Sequence, residues 1–411
     1  MKKFMVIEPI PFFIKELISL KEKYNYQIYI VSKELTSPPS DGIKYINLNI
    51  FEEADFQKLV DYILSMDTRL DALFTACEKH VVITEKLKKC TGYYDNQFDD
   101  LNVLRNKSLM KDKWIQEGLP TSKYLDLSSL DIGDLQYPCI IKPKSSCGST
   151  GVKLINNPQE MKEQYLKIKM WEKASNHDPT LRGTIIEEYF NGDEFTVDTF
   201  WYKGEPVASF VMAKYGTNPP YFHDALYYIP PYINKDLKEK LIDLANKSVH
   251  TIGMRNGATH VEIKHNNGEF SLIEAAFRPS GHTTNYSLFQ KQFNVDIFHF
   301  YLSVLLGEEN YITYYKNLIQ QREQKLTFYY DVGYENYGRV KEIQGLEKIN
   351  TLKNISDVDI YQMTKENEYI GPKIFNSGNK LCLLIGYYDD LDQLLHYVDN
   401  NFGLKLIVHK K

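Results

Sequence analysis

Short apolar runs alternate with stretches of helical spacing over the first hundred residues. The runs FMVI (4–7), QIYIV (27–31) and DALFTA (71–76) are rich in β-branched and aromatic residues and end on turn formers, which predicts strands. FIKELISLKEKY (13–24) and FQKLVDYILSM (56–66) repeat apolar residues at helical intervals, which predicts helices. Such alternation suggests parallel βαβ units. No GxGxxG follows the first strand, so a dinucleotide-binding turn of the Rossmann kind is not expected.

From about residue 106 the pattern changes. NKSLMKDKWIQEGLP predicts a helix ending at Gly118, with Pro120 as a stop. The strand PCIIKP, a glycine/serine loop, the strand GVKLI and a helix from 158 to about 174 come next. GTIIEEYF reads as a strand, and EFTVDTFWYKGEPVASFVMAKY as a hairpin turning at Lys203 and Gly204. After the helix KDLKEKLIDLANKSVHTIGM stands a second hairpin, THVEIKHNNGEFSLIEAAFRP. The last ninety or so residues, with LTFYYDV, KLCLLIGYYD and LKLIVHK, read as a separate αβ segment.

Composition narrows the class. A chain of 411 residues has room for two or three cored domains. Its formal net charge of −5 gives no polyanion-binding signal, so nucleic acid is not the expected partner. The lysines and apolar residues of MKKFMVIEPIPFFIKELISL begin like a signal peptide, but Glu8, Pro9 and Pro11 interrupt any continuous apolar region. No run approaches the length of a membrane helix. Five scattered cysteines without a CxxC pair argue against a disulfide framework and a zinc site. A cytoplasmic protein is the expectation.

The loop in KPKSSCGSTGV (142–152) suits phosphate: glycines let the backbone approach closely, and Ser and Thr add hydroxyl donors. It is not a Walker loop, because its lysine comes first and a strand follows. By itself the loop reads more readily as an ordinary hairpin turn. In the second hairpin, a three-residue loop over 267–269 would set Glu262 opposite Glu274. His260, Glu262 and Lys264 would then share a face with Glu274, Ala276 and Arg278. Facing carboxylates call for Mg²⁺ or for cations such as Lys264 and Arg278, whereas a two-residue turn at Asn267 and Gly268 would send Glu274 to the other face. A solvated hairpin face of mixed charge is the plain alternative.

The order of these features resembles an ATP-grasp ligase. Lys107 in RNKSLMKDKW, Lys142 in CIIKP, SSCGSTGV, IIEEYFNGDEFTVD, HVEIK and IEAAFRPSG carry the resemblance over roughly residues 106–306, and DALFTACEKHVVITEKLKKCTG looks like the end of the family's N-terminal domain. Within the family, EAAFRPSG and the C-terminal segment look most like the carboxylate–amine ligases that include bacterial L-amino-acid (dipeptide) ligases.

The resemblance implies an α/β (α+β) ATP-grasp fold. Its parts would be an N-terminal parallel βαβ domain over 1–105, an ATP-grasp domain over 106–320 with a lid over about 120–190, and a small C-terminal αβ segment over 321–411 completing the substrate site. It also implies that Lys107 and Lys142 contact ATP phosphates and that Ser145, Ser146, Gly148, Ser149, Thr150 and Gly151 form the lid over them. Glu187, Glu188, Tyr189 and Phe190 would hold adenine, and Glu194 the ribose. Glu262 and Glu274 would bind Mg²⁺, with Mn²⁺ as a substitute, and Arg278 would steady the transferred phosphoryl group. His260, His282 and His223 are candidates for the substrate pocket. Cys147 is not needed as a nucleophile, since the substrate carboxylate itself attacks phosphorus.

One departure stands out: where many relatives have Glu-x-Asn-x-Arg, this chain has Ala276, which cannot coordinate a metal. The implied reaction joins two L-amino acids through an acyl phosphate, releasing ADP and phosphate. A different acid or acceptor (a carrier-protein thiol, a small metabolite) and a non-catalytic ATP-binding module are the rivals. A homodimer is expected from relatives.

Overall fold

The computed structural model describes residues 1–34, 43–127, 135–174, 181–216, 220, 222, 226–322, 325–333, 337–362, 364–370 and 380–409, except for the side chains of 282 and 283. Four strands, β1 (Lys3–Ile7), β2 (Gln27–Ser32), β3 (Ile43–Asn47) and β4 (Ala72–Thr75), form a parallel sheet in the order β3-β2-β1-β4. Helices α1 (Pro11–Tyr24), α2 (Glu53–Leu64) and α3 (Val81–Thr91) cover it. Phe4 and Val6 pack against Phe13, Ile14 and Leu17 of α1, whereas Met5 and Ile7 pack with Phe56, Leu59 and Leu87 of α2 and α3. Burial on both faces is why the first strand reads as an unbroken apolar run. β3 alternates buried and partly exposed positions at the sheet edge, too weak a run to be singled out in the sequence.

A second, smaller sheet follows α4 (Lys107–Gln116). Its strands are β5 (Tyr124–Leu127), β6 (Cys139–Pro143), β7 (Lys153–Ile155) and β8 (Thr184–Glu188), in the antiparallel order β5-β8-β6-β7. Met161 and Ile168 of α5 (Pro158–Ala174) pack on Cys139, Ile141, Ile155 and Ile186. The glycine/serine loop thus hangs between β6 and β7 on a small, separately cored unit.

The largest sheet begins with β9 (Asp193–Tyr202) and β10 (Glu205–Tyr215), joined through Lys203 and Gly204, both at positive φ. It continues with β11 (Leu226–Tyr228) and the hairpin of β12 (Gly257–Asn266) and β13 (Glu269–Ala276). Between them α6 (Lys235–Ile252) packs Leu241, Ala245 and Val249 against Phe195, Val197 and Val261. On the other side, α7 (Asn285–Phe293) and α8 (Ile297–Leu305), followed by α9 (Glu309–Gln321), bury Phe289, Phe298 and Phe300 with Phe200 and Phe210.

The remaining strands are β14 (Thr327–Gly333), β15 (Gly338–Gln344), β16 (Ile355–Gln362), β17 (Tyr369–Ile370), β18 (Lys380–Tyr388) and β19 (Lys405–His409), with α10 (Leu391–Asp399) before β19. The large sheet runs β13-β12-β9-β10-β11-β14-β18-β16, and β17-β15-β19 form a small sheet beside it. Strands on both sides of the boundary expected near residue 320 therefore belong to one sheet, through the β11–β14 pairing. Among the described residues, no helix is long and apolar enough to cross a membrane.

Candidate active site

The glutamate hairpin reaches the expected pairing by another route. Asn266 pairs with Glu269, so the turn has only two residues, Asn267 and Gly268, at φ +49° and +89°. Both angles suit the tight turn that matches strand twist. The register then shifts: Ile263 pairs with Leu272, but Glu262 pairs with Glu274. Ile273 is the extra residue of a β-bulge, and it returns Glu274 to the face of Glu262. The expected three-residue loop is corrected, while the facing carboxylates stand. Ala276 sits opposite His260.

Lysines surround these carboxylates. Asn106 caps α4 by accepting hydrogen bonds from the Ser108 and Leu109 amides, which fixes Lys107 at the first helical position. The Lys107 ammonium lies 3.0 Å from Glu274 Oε2 and donates to the Ser146 carbonyl at 3.1 Å. One turn on, Lys111 is fully buried, 3.3 Å from Glu187 Oε1, and donates to Thr121 Oγ1. Lys142 meets the same Glu187 oxygen at 2.7 Å. Burial pushes the Glu187 carboxyl up, but Lys142 and Lys111 outweigh it and hold it below the ordinary range. Desolvation brings Lys111 down to about 8. Lys214 of β10 lies 2.9 Å from Glu194 and 2.6 Å from Glu262.

The histidine and arginine are also held by carboxylates. His260 Nδ1 lies 2.5 Å from Asp198 Oδ1, and Nε2 lies 3.6 Å from Glu262. Burial would lower its pKa, yet Asp198 and then Glu262 raise it to about 9, so the imidazole is a cation at neutral pH. The Ser280 hydroxyl donates to the other Asp198 oxygen. Arg278 Nε donates to Glu78 Oε2 at 2.7 Å, and Arg105 stands 3.6 Å from the other oxygen of Glu78. Glu78, contributed by the turn after β4, ties the N-terminal domain to the arginine.

The glycine/serine loop has left-handed backbone at Gly148, Ser149 and Gly151. A Cβ on Gly151 would lie 2.9 Å from Pro143 Cγ, so this position admits only glycine without movement. Ser145 is buried and its hydroxyl makes no hydrogen bond among the described residues. Thr150 Oγ1 donates to the Cys147 carbonyl, closing the turn. Burial raises the Cys147 thiol, the opposite of what a thiolate nucleophile needs.

A single cavity of about 890 Å³ joins these groups. Lys107, Lys142, Ser146, Gly148, Ser149, Thr150, Glu187, Glu188, Tyr189, Phe190, Glu194, His260, Glu262, Glu274 and Arg278 all line it, while Ser145 and Gly151 are not among its lining residues. Lys264 reaches over the Tyr189 and Phe222 rings, 5.5 and 5.3 Å from their centres. His223 and the side chain of His282 lie outside the described residues. Sequence patterns do not single out Lys111, Lys214, Asp198, Glu78 or Arg105. Lys111 follows Lys107 by one helical turn and Asp198 shares a strand face with Glu194, so periodicity offers a signal for those two alone.

Among the described residues, no three His, Cys, Asp or Glu side chains are grouped to hold a metal. Burial, with Glu262 and Glu78 acting against Lys107, raises the Glu274 carboxyl. That is the mark of a like-charge pair a divalent cation would relieve. Two carboxylates suit Mg²⁺, which keeps several waters and substrate phosphate oxygens as ligands rather than a full protein cage.

The sheet carrying the paired glutamates and the small sheet with its glycine/serine loop enclose this cavity between them. The family model described as an ATP-grasp domain matches residues 135–285 of the chain. The proteins it resembles include amino-acid ligases. Alanine–anticapsin ligase of Bacillus subtilis (strain 168) is 26% identical over 223 residues, which is 49% of this chain and 46% of that protein. The chain spans about half the length of the curated relatives of this kind that it matches. An L-arginine-specific L-amino acid ligase of Bacillus subtilis is 21% identical over 347 residues, 82% of this chain and 80% of that one. The crystal structure of an L-amino acid ligase from Bacillus licheniformis shares the fold with a TM-score of 0.80 at 18% identity, covering 100% of this chain and 99% of that one.

Proposed function

We propose that the protein is an ATP-dependent carboxylate–amine ligase that joins two L-amino acids, releasing ADP and phosphate. The observation that carries this reading is the facing pair Glu262 and Glu274, which share one cavity with Lys107, His260, Arg278 and the glycine/serine loop, with Lys214 buried against Glu262. Cations so placed offset the charge of a triphosphate, which suits phosphoryl transfer. The names of the relatives support amino acids as the substrates.

A carboxylate oxygen of the first amino acid attacks the γ-phosphorus as the bond to ADP breaks. The free amine of the second then attacks the acyl carbon, phosphate leaves, and an amide remains. Lys107 and Lys142 bind phosphate oxygens, and Arg278, fixed by Glu78, orients the transferring group. Glu262 and Glu274 would hold Mg²⁺, which would further offset phosphate charge. The loop over 144–152 excludes water that would hydrolyse the acyl phosphate.

The test is ATP-dependent phosphate release across single and paired L-amino acids, with mass analysis of products. ADP, phosphate and a mass equal to two substrates less water are expected. Formation of AMP, or turnover solely with non-amino acids, would refute the reading.

A further inference from the structure

The cavity extends beyond the groups assigned to nucleotide and phosphoryl transfer. Its acidic lining residues are Glu187, Glu188, Glu194, Glu262, Glu274 and Asp331. The first five stand on β8, β9, β12 and β13, or beside them, at the nucleotide end. Asp331 stands on β14, beyond β10 and β11 in the sheet, so it faces the opposite end. Tyr227, Tyr329, Tyr361 and Leu383 floor that end, and Ile10, Pro11 and Phe12 of the N-terminal domain wall it. Pairings align Tyr227 with Tyr329, Asp331 with Leu383, and Leu383 with Tyr361.

A polar ladder crosses this apolar surface. Thr284, six residues after Arg278, has its hydroxyl 3.3 Å from that of Tyr329, and the Tyr329 hydroxyl donates to Asp331 Oδ1 at 3.2 Å. Lys380 donates to Asp331 Oδ2. Asp331 is largely buried, whereas the Lys380 side chain is 31% exposed. Both ends of this pair line the cavity, so a ligand ammonium reaching Asp331 would compete with Lys380 for it.

We propose that Asp331 is the ammonium-binding group of an amino-acid subsite in this distal half, with Lys380 guarding it until substrate arrives. This rests on the ligase reading above and names what its substrate must carry. An incoming ammonium takes the place of Lys380 on Asp331, the Tyr329 hydroxyl holds the carboxylate in position, and the aromatic floor receives the carbon skeleton. The ammonium is either the α-amino group or that of a basic side chain.

Calorimetric binding to the full chain, with ADP and Mg²⁺ present, tests this without needing turnover. The probes are L-alanine, L-lysine, 6-aminohexanoate and propionate. Asp331→Asn is expected to weaken the amino probes that bind by about tenfold or more and to leave propionate unchanged. Asp331→Glu keeps the charge and retains binding. Lys380→Met removes the competitor and binds the amino probes as tightly as the parent or more so.

Losses for alanine and lysine alike assign the α-ammonium; losses confined to lysine and 6-aminohexanoate assign the side chain. Three results overturn the proposal. These are amino probes binding Asp331→Asn within twofold of the parent, both charge-removing variants weakening binding together as a structural ion pair would, and no heat from the parent with any amino probe. If calorimetry behaves as expected but no phosphate is released with any acid, the ligase reading fails and the subsite does not.

Discussion

At the scale of single residues, charge neutralisation sets the behaviour of the site. His260 is buried against Asp198 and lifted to about 9, above the value near 6.5 of an unfolded chain. Its stabilising contribution is fully present below pH 6.5 and is lost as pH rises through 9, on the order of 3 kcal/mol. Urea unfolding at pH 6 and pH 9.5 should show the parent losing more stability across that interval than His260→Gln, and equal losses would exclude this account. Glu78 provides a second case. Replacing it with Gln removes the charge that holds Arg278, so phosphate release should fall roughly tenfold or more while the ATP KM changes little. Steady-state kinetics decide it. Neither pairing is legible in the sequence, because Glu78 lies 200 positions from Arg278 and Asp198 62 from His260; strand periodicity marks Asp198 as a residue on the face of Glu194 but not as the partner of His260.

At the scale of elements, local pattern was legible where periodicity and turn chemistry agree. The helix over 158–174, the turn at Lys203 and Gly204 and the strand around Lys142 follow from such signals. The glutamate hairpin shows the limit. Asn-Gly specifies a two-residue turn, which alone would turn Glu274 away from Glu262; the bulge at Ile273 restores it, and nothing in the local sequence announces a bulge. The glycine/serine loop makes a sharper prediction. Gly151→Ala meets a φ of +80° and a contact of 2.9 Å with Pro143, so it should cost about 1–2 kcal/mol in urea unfolding and weaken nucleotide binding. Unchanged stability and affinity would show that the loop adopts another backbone.

At the scale of the whole molecule, the cavity is a product of assembly. Its lining draws on α1 and its approach, the small sheet, both hairpins and the last strands. A chain ended after Gln321 would lose β14, β16 and β18 from the large sheet and Phe328, Tyr329, Leu383 and Leu384 from its cores. Burial of such side chains is worth about 1.5–3 kcal/mol each, comparable in sum to the net stability of a domain. That fragment should therefore show no cooperative urea transition and should aggregate on gel filtration. A monomeric fragment unfolding cooperatively would contradict the single-sheet architecture.

The sequence by itself determined many of the strands and helices, the glycine/serine loop and the residues that carry the ligase resemblance, because those depend on neighbours within a few positions. Only the tertiary structure decided which charges meet. It placed Lys111 and Lys142 on one glutamate, Lys214 between two, Glu78 on Arg278 and Asp331 under Lys380. Electrostatic partners are chosen by distance in space, and buried charges are tolerated solely where the fold brings their counterparts.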